Sequence, residues 1–299
     1  MSQPSSPEFV QLRAQDAARR GRGTVVITGA STGIGEATAL HLASLGYRVL
    51  AGVRKQADFE RLRAIGRGIE PMILDVTNEE HITALAELVD RTEPSGLTAL
   101  INNAGIGAPG PIESVAPQEW RDVMEVNVIG VVAVTQALLP SLLRAGGRVI
   151  NMGSGGGRIG FPLFGPYNTS KFAIEGFTDV LRREVGHHGV KVSLIQPGII
   201  ATPIYSKHIP ISYDRMNAMS PEVLSRYRKQ LDSAHRSGEE AESTGMPPIV
   251  VAEAVAKAVG SRFPKTRYVV GSDSRTAVLC ARFLPDRVID LIIRRITSR

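Results

Sequence analysis

From Thr24 onward the chain alternates short, mostly apolar runs with longer stretches whose apolar residues recur every three or four positions. The runs at 24–28 (TVVIT), 47–52 (YRVLAG), 69–74 (IEPMIL), 98–101 (TALI), 148–152 (RVINM), 190–195 (VKVSLI) and 267–270 (RYVV) alternate only weakly. Such runs predict strands covered by helices on both faces. Helical spacing at 35–45, 78–91, 117–143, 167–185 and 249–261 supplies those helices. Strand–helix alternation of this kind predicts a parallel sheet with right-handed crossovers. The expected fold class is α/β: one Rossmann-like, doubly wound domain over 23–275, with ligands outside the carboxyl ends of the strands.

Three segments depart from the alternation. Residues 1–22 are rich in Ser, Pro, Gln, Ala and Arg, without an apolar signal core, and predict a flexible N-terminal extension. Residues 203–248 include Pro210, the Ser220-Pro221 helix start and the polar run SGEEAESTG. A loop of that length without structure is unusual, so one or two short helices covering a site are expected there. Residues 276–299 alternate apolar and Arg positions at helical spacing and predict a basic amphipathic C-terminal helix. Packing on the body is its expected use, with a membrane-surface or dimer contact as the alternative.

Composition narrows the function. A net charge of +6 invites a nucleic-acid partner, but the basic residues do not cluster with aromatics along one element, so none is expected. Attraction of an anionic cofactor is the better use of that charge. The single cysteine, Cys280, excludes an internal disulfide and any multi-cysteine metal site, which suggests a reducing, cytoplasmic setting and no metal. No uninterrupted apolar run of about 18 residues occurs, which predicts no membrane span.

The chemistry starts at Thr28-Gly29-Ala30-Ser31-Thr32-Gly33-Ile34-Gly35, between the first strand and a helix. Gly29 permits the turn, Gly33 lets backbone approach a pyrophosphate, and Gly35 lets the helix approach the sheet. The helix N-terminus then offers unpaired N–H groups to phosphate. The spacing is G-x-x-x-G-x-G, and no Lys-Ser/Thr follows to make a P-loop. The second strand ends Ala51-Gly52-Val53-Arg54-Lys55, with no acid to accept the adenosine ribose hydroxyls. Arg54 suits a 2′-phosphate instead, which favours NADP(H) over NAD(H). Asp75-Val76 closes the third strand, where Asp75 either accepts the adenine amino group or caps locally beside Thr77. Asn102-Asn103-Ala104-Gly105 closes the fourth, with an amide to brace the sheet edge while the backbone faces the cofactor.

Four polar residues complete the pattern. Asn127 is flanked by apolar residues, so its amide must find buried partners. Ser154 follows the fifth strand without a G-x-S-x-G elbow, which leaves hydrogen bonding to a substrate oxygen as its natural task. Tyr167 and Lys171 stand one helical turn apart. One positive charge at about 4 Å and an effective dielectric of about 20 would lower the Tyr167 pKa by roughly 3 units, toward the operating pH.

TGASTGIG at 28–35, NNAG at 102–105, Asn127, Ser154, YNTSK at 167–171 and Pro197-Gly198 through Thr202 together resemble the short-chain dehydrogenase/reductase family over about residues 23 to 202. The resemblance implies Tyr167 as acid/base and Lys171 as its pKa-lowering partner on the nicotinamide ribose. It implies Ser154 holding the reacting oxygen, Asn127 fixing a water that links Lys171 to solvent, and Thr202 orienting the carboxamide. The cofactor set it implies adds Ile200 to Pro197 and Gly198. Two departures stand out: Gly153-Ser154 replaces the usual Ser-Ser pair, and the glycine tract 155–157 suggests a mobile loop. The family commonly forms homodimers or homotetramers through 117–143 and 167–185.

Val53-Arg54-Lys55, YNTSKFAIEG at 167–176 and Leu284-Pro285-Asp286-Arg287 resemble the branch containing 17β-type hydroxysteroid and retinol dehydrogenases. Ile159, Phe161, Pro162, Leu163 and Phe164, with Ile204, Tyr205, Ile209, Ile211 and Met216 of the lid, either line an apolar pocket or pack the lid on the body. The first option puts Phe161 and Phe164 beside Ser154 and Tyr167 against substrate. The expectation is interconversion of a lipophilic, steroid- or retinoid-like secondary alcohol and its ketone. A reductase of small ketones or secondary metabolites and a non-catalytic NADP-sensing regulator are the alternatives.

Overall fold

Alternate residues of each strand face opposite ways, and both ways are apolar, so the sheet must be covered twice. A computed structural model shows this arrangement and describes residues 21–297. The expected N-terminal extension falls, through residue 20, outside the described residues, as do the side chains of 205–208, Tyr205 among them. The strands are β1 (Thr24–Ile27), β2 (Arg48–Val53), β3 (Ile69–Ile73), β4 (Ala99–Asn102), β5 (Arg148–Met152), β6 (Lys191–Pro197) and β7 (Arg267–Val270). They form one parallel sheet in the order β3-β2-β1-β4-β5-β6-β7. The order reverses at β1, so the connections leaving β1 and β4 run to opposite sides and open a crevice at the carboxyl ends of the strands.

On one face Val25, Ile27, Val49, Ala51 and Ile101 pack against helices α1 (Gly33–Ser44) and α2 (Gln56–Ile65). On the other, Val26, Leu50, Leu100 and Val149 meet α3 (Glu79–Thr92). Next in the chain, α4 (Pro117–Met124) runs through a π turn at Glu125–Ile129 into α5 (Gly130–Ala145), and α6 is Gly165–Val185. Val134, Leu138 and Leu142 of α5 and Leu181 of α6 complete that second core. After the lid helices α7 (Ile204–Ala218) and α8 (Pro221–Thr244), α9 (Ile249–Gly260) returns to the first face through Val251 and Val255.

Four expectations change. The lid consists of two long helices, 15 and 24 residues, rather than short ones. Helix α2 escaped the periodicity because its sequence QADFERLRAI buries only Leu62 fully. Instead of one C-terminal helix there are two, α10 (Ser272–Phe283) and α11 (Asp286–Thr297). Leu284 between them is extended (φ −99°, ψ 142°), as a residue before proline prefers. Finally, Pro117–Ala145 is long and apolar enough to cross a membrane by length and composition. Its run tolerates Thr135, Gln136 and Ser141, which interrupt a strictly apolar count. The same helix carries Val134, Leu138 and Leu142 into the core, so it reads as a core helix.

A polar ladder crosses the second core. Asn102 Nδ2 donates to Thr135 Oγ1 and Asn151 Oδ1, both at 2.9 Å, and Asn151 Nδ2 donates to Thr178 Oγ1 at 2.9 Å. It ties β4 and β5 to α5 and α6. Fully buried, these groups have no water to replace a lost partner. Asn151→Ala should therefore lower stability by about 1–3 kcal/mol, read as a shift in the urea midpoint at unchanged m-value.

Candidate active site

Thr28 to Gly35 carry the chain from β1 into α1. Gly29 (φ +65°) and Gly33 (φ +61°) adopt left-handed conformations that side chains disfavour. A Cβ on Gly35 would collide with the Gly29 carbonyl oxygen. Asn103 holds this loop: its Nδ2 donates to the carbonyls of Thr28 (3.0 Å) and Gly29 (2.9 Å). In return Thr28 Oγ1 accepts the N–H groups of Asn103 and Ala104, each at 3.0 Å. The loop carries Ser31, Thr32 and Ile34 to the first turn of α1, whose N–H groups have no intrahelical acceptor and suit phosphate. A Cβ on Gly33 would stand 3.1 Å from Thr202 Cγ2, so the buried Thr202 flanks the same cradle.

Arg54 is exposed at the end of β2, close enough to act on Asp75. Burial pushes the Asp75 carboxyl up, but bonds from Thr77 N (3.0 Å) and Oγ1 (2.8 Å), with Arg54 and His81 nearby, leave it below its ordinary value. The geometry thus shows the local cap, one of the two readings of Asp75. Val76 and Ile200 belong to the two hydrophobic cores, so only their backbones are placed to meet a ligand. Arg61 of α2 was missed from the sequence: it donates to Ser31 O at 2.5 Å and pairs with Glu36 of α1, bringing a second cation to the glycine loop. Its signal was the missed helix itself.

The catalytic candidates converge where β5 and α6 meet. Lys171, buried on α6, donates from Nζ to Met152 O at 2.8 Å and lies 5.5 Å from the Tyr167 ring centroid. Tyr167 as a whole is partly exposed, but its hydroxyl is buried close to Ser154. Burial raises the Tyr167 pKa, and the nearby Ser154 hydroxyl only partly offsets this. The expected lowering by Lys171 is therefore corrected in this geometry. A dry site penalises phenolate and ammonium alike, and the ammonium is turned to the Met152 carbonyl.

The glycine tract is also corrected. Ser154 Oγ accepts from Gly156 N at 3.1 Å and caps a 3₁₀ turn at Gly155–Gly157. A Cβ on Gly157 would come within 2.9 Å of Lys171 O, and one on Gly156 within 2.6 Å of Asn168 Oδ1. All three glycines are buried. They permit close packing on α6, and nothing in their surroundings resembles an open, mobile loop.

Asn127 occupies the π turn and is 1% exposed. Its Oδ1 accepts from Ile106 N (2.8 Å), and its Nδ2 donates to Ile106 O and Ser170 Oγ (both 2.9 Å). It thereby joins the segment after Gly105 to α6, on the turn preceding Lys171. Pro197 ends β6, Gly198 N donates to Val270 O at 2.8 Å, and Ile199 N donates to Asp273 Oδ2 at 2.6 Å. Asp273, at the start of α10, is a further positioning group that sequence reasoning assigned only to the end of the domain.

The apolar residues divide. Phe161 is 40% exposed, and its carbonyl accepts from Asn168 Nδ2 at 2.9 Å. Phe164, by contrast, packs with Leu163, Met216, Leu231 and Tyr227. That cluster seats the lid on the body, so Phe164, Leu163 and Met216 serve lid packing. Ile211 is exposed, and Ile209 borders a groove with Pro210, Glu239 and Glu242 between the lid helices. Arg215 of α7 pairs with Glu119 of α4 and fixes the lid from the same side.

Comparisons agree with this geometry. A family profile described as short chain dehydrogenase matches residues 23–210. Human retinol dehydrogenase 16 is 35% identical over 277 residues, covering 90% of this chain and 87% of its own. Bos taurus 17-beta-hydroxysteroid dehydrogenase type 6 is 36% identical over 281 residues, covering 91% and 87%. A short chain dehydrogenase from Burkholderia cenocepacia in complex with NADP superposes with a TM-score of 0.70 at 25% identity, covering 91% of this chain and 97% of that one. A short chain dehydrogenase/reductase from Burkholderia phymatum in complex with NAD gives 0.73 at 28% identity, covering 90% and 95%.

Burial lowers the Lys171 pKa from 10.5 to about 8. The unfolded chain then holds this proton more tightly. The group penalises folding fully below about pH 8, and the penalty is relieved as pH rises toward 10.5. Lys171→Met lacks that relief. Its stability relative to the parent should fall by about 2 kcal/mol between pH 7 and pH 9.5, measured by urea denaturation at both. A pH-independent difference would show that the ammonium is not held in a dry site.

Proposed function

Since the chain belongs to the short chain dehydrogenase family, oxidoreductases of the CH–OH group, we propose that it interconverts a lipophilic secondary alcohol and its ketone with NADP(H). The observation that carries this reading is the convergence of Tyr167 and Ser154 above the buried Lys171 at the carboxyl end of β5, where Ser154 acts on the Tyr167 hydroxyl and Lys171 holds Met152 O. Two hydroxyls meeting at one point can share a single substrate oxygen, Ser154 orienting it and Tyr167 exchanging its proton. Bound nicotinamide would supply or accept the hydride, the backbone around Gly29, Gly33 and Gly35 would take its pyrophosphate, and Thr202, packed beside Gly33, would orient its carboxamide.

Lys171 has a second task in this reading. Its ammonium holds the Met152 carbonyl, and hence the end of β5 that presents Ser154. Cofactor ribose hydroxyls would be its remaining partners. Asn127, held by Ile106 and Ser170, aligns α6, and the second acceptor site of its Oδ1 stays open to a water.

The NADP(H) preference rests on Arg54, exposed beside the cradle with no acid at the end of β2. Arg61 beside Ser31 adds positive charge, though Glu36 neutralises part of it. The lipophilic substrate class rests on the exposed Phe161 ring and on similarity to the retinol and hydroxysteroid enzymes.

Three measurements test this. NADPH oxidation against steroids, retinal and small ketones, repeated with NADH, should show turnover with lipophilic carbonyls and a preference for NADPH. Arg54→Ala should reduce that preference by about 10- to 100-fold, the contribution of a charge-assisted hydrogen bond. Tyr167→Phe should abolish turnover while leaving NADPH binding nearly intact; substantial activity in that variant would remove Tyr167 from the proton transfer.

A further inference from the structure

The helix α11 packs on the body by one edge only. Ile289 and Ile293 are partly covered, with the helix lying against α8 of the lid. Leu291 and Ile296 remain 61% and 62% exposed, and Val288 and Ile292 are exposed beside them. At the end of α10, Phe283 is 69% exposed. An exposed apolar surface of this kind calls for a partner.

Its chemistry identifies one. Val288, Leu291 and Ile292 line an open groove together with Arg294 and Arg295. Neither arginine, nor Arg287 on the polar side of α11, makes an ion pair or side-chain hydrogen bond among the described residues. Apolar side chains next to uncommitted guanidinium groups match a surface that is greasy inside and anionic outside. A second copy fits less well, because a symmetric contact through this groove would bring Arg294 and Arg295 toward their own counterparts. We propose that α11, with the end of α10, docks this protein on bilayers containing anionic phospholipid.

The position of the helices adds a consequence. Helix α10 leaves β7 at the site end of the sheet, where Asp273 accepts Ile199 N and Ser274 Oγ donates to Gln196 O at 3.0 Å. Helix α11 then lies on the lid. The docked face is thus continuous with the lid and with the segment that leads to Thr202. If the substrate is lipophilic, as proposed above, it would be presented from the bilayer on this side. Docking itself does not depend on that reading.

The test uses the full chain and vesicles of phosphatidylcholine, alone or mixed with phosphatidylserine. Flotation should show binding to the mixed vesicles, weakened by salt and much weaker with phosphatidylcholine alone. Arg294→Glu with Arg295→Glu should weaken binding by at least about twentyfold, from roughly fivefold per basic residue at an anionic surface. Leu291→Asp should abolish it. Both variants alter exposed positions, and unchanged thermal midpoints and NADPH binding would show that fold and cofactor site persist. Absence of binding to either vesicle overturns the proposal, as does binding that the variants leave unaltered. A parent that binds no vesicle but is an oligomer dissociated by Leu291→Asp would make this face a contact between copies, which also overturns it.

Discussion

Burial of the Lys171 ammonium against the Met152 carbonyl constrains everything around it. A buried cation must be solvated by the protein, and here the solvating group is the last carbonyl of β5. That bond fixes the distance between the strand and α6, which in turn requires the glycines at 155–157 to pass beneath the helix. It also sets where Ser154 stands relative to Tyr167. The same dryness raises one pKa and lowers the other, so the site holds a neutral phenol above a weakened ammonium.

The supporting structure is built from amides rather than charges. Asn103 stitches the glycine loop to β4, Asn102 and Asn151 cross the core, and Asn127 bridges to Ser170. Amides can donate and accept at once, so each joins two elements without the desolvation cost of an ion. A buried ionic hub lies a turn beyond Lys171. Glu175 accepts from Gln196 Nε2 at 2.5 Å and pairs with Arg267 at 2.9 Å. It ties α6 to β6 and β7.

Strand positions and the four polar candidates were readable because they depend on local rules. Seven apolar runs separated by helical spacing can bury both sheet faces in few ways, and the order follows from the crossover rule. Asn127, Ser154, Tyr167 and Lys171 were each unusual for their place in the pattern. What the sequence did not disclose depends on tertiary contact. Gly155–Gly157 looks like a flexible tract in one dimension, and only the proximity of Lys171 and Asn168 reveals it as a packing surface. Phe164 looks like pocket lining until Met216 and Leu231 arrive from the lid, more than fifty residues later in the chain. Arg61 was hidden because its helix exposes nearly all of its polar residues.

The C-terminal pair shows the same limit from the other side. Helical spacing from Thr276 onward revealed an amphipathic helix, and packing on the body was the simplest use for its apolar stripe. Pro285 breaks that helix and redirects its second half, so one stripe becomes two unequal edges. The edge with Ile289 and Ile293 is spent on the lid, and the edge with Leu291 and Ile296 is left over. A helix held by one edge against the lid is mechanically coupled to it. Whatever covers the other edge therefore acts on α8, and through the Met216–Leu231 contact on the segment leading into Tyr167. The buried lysine and the exposed helix are the two ends of one packed path.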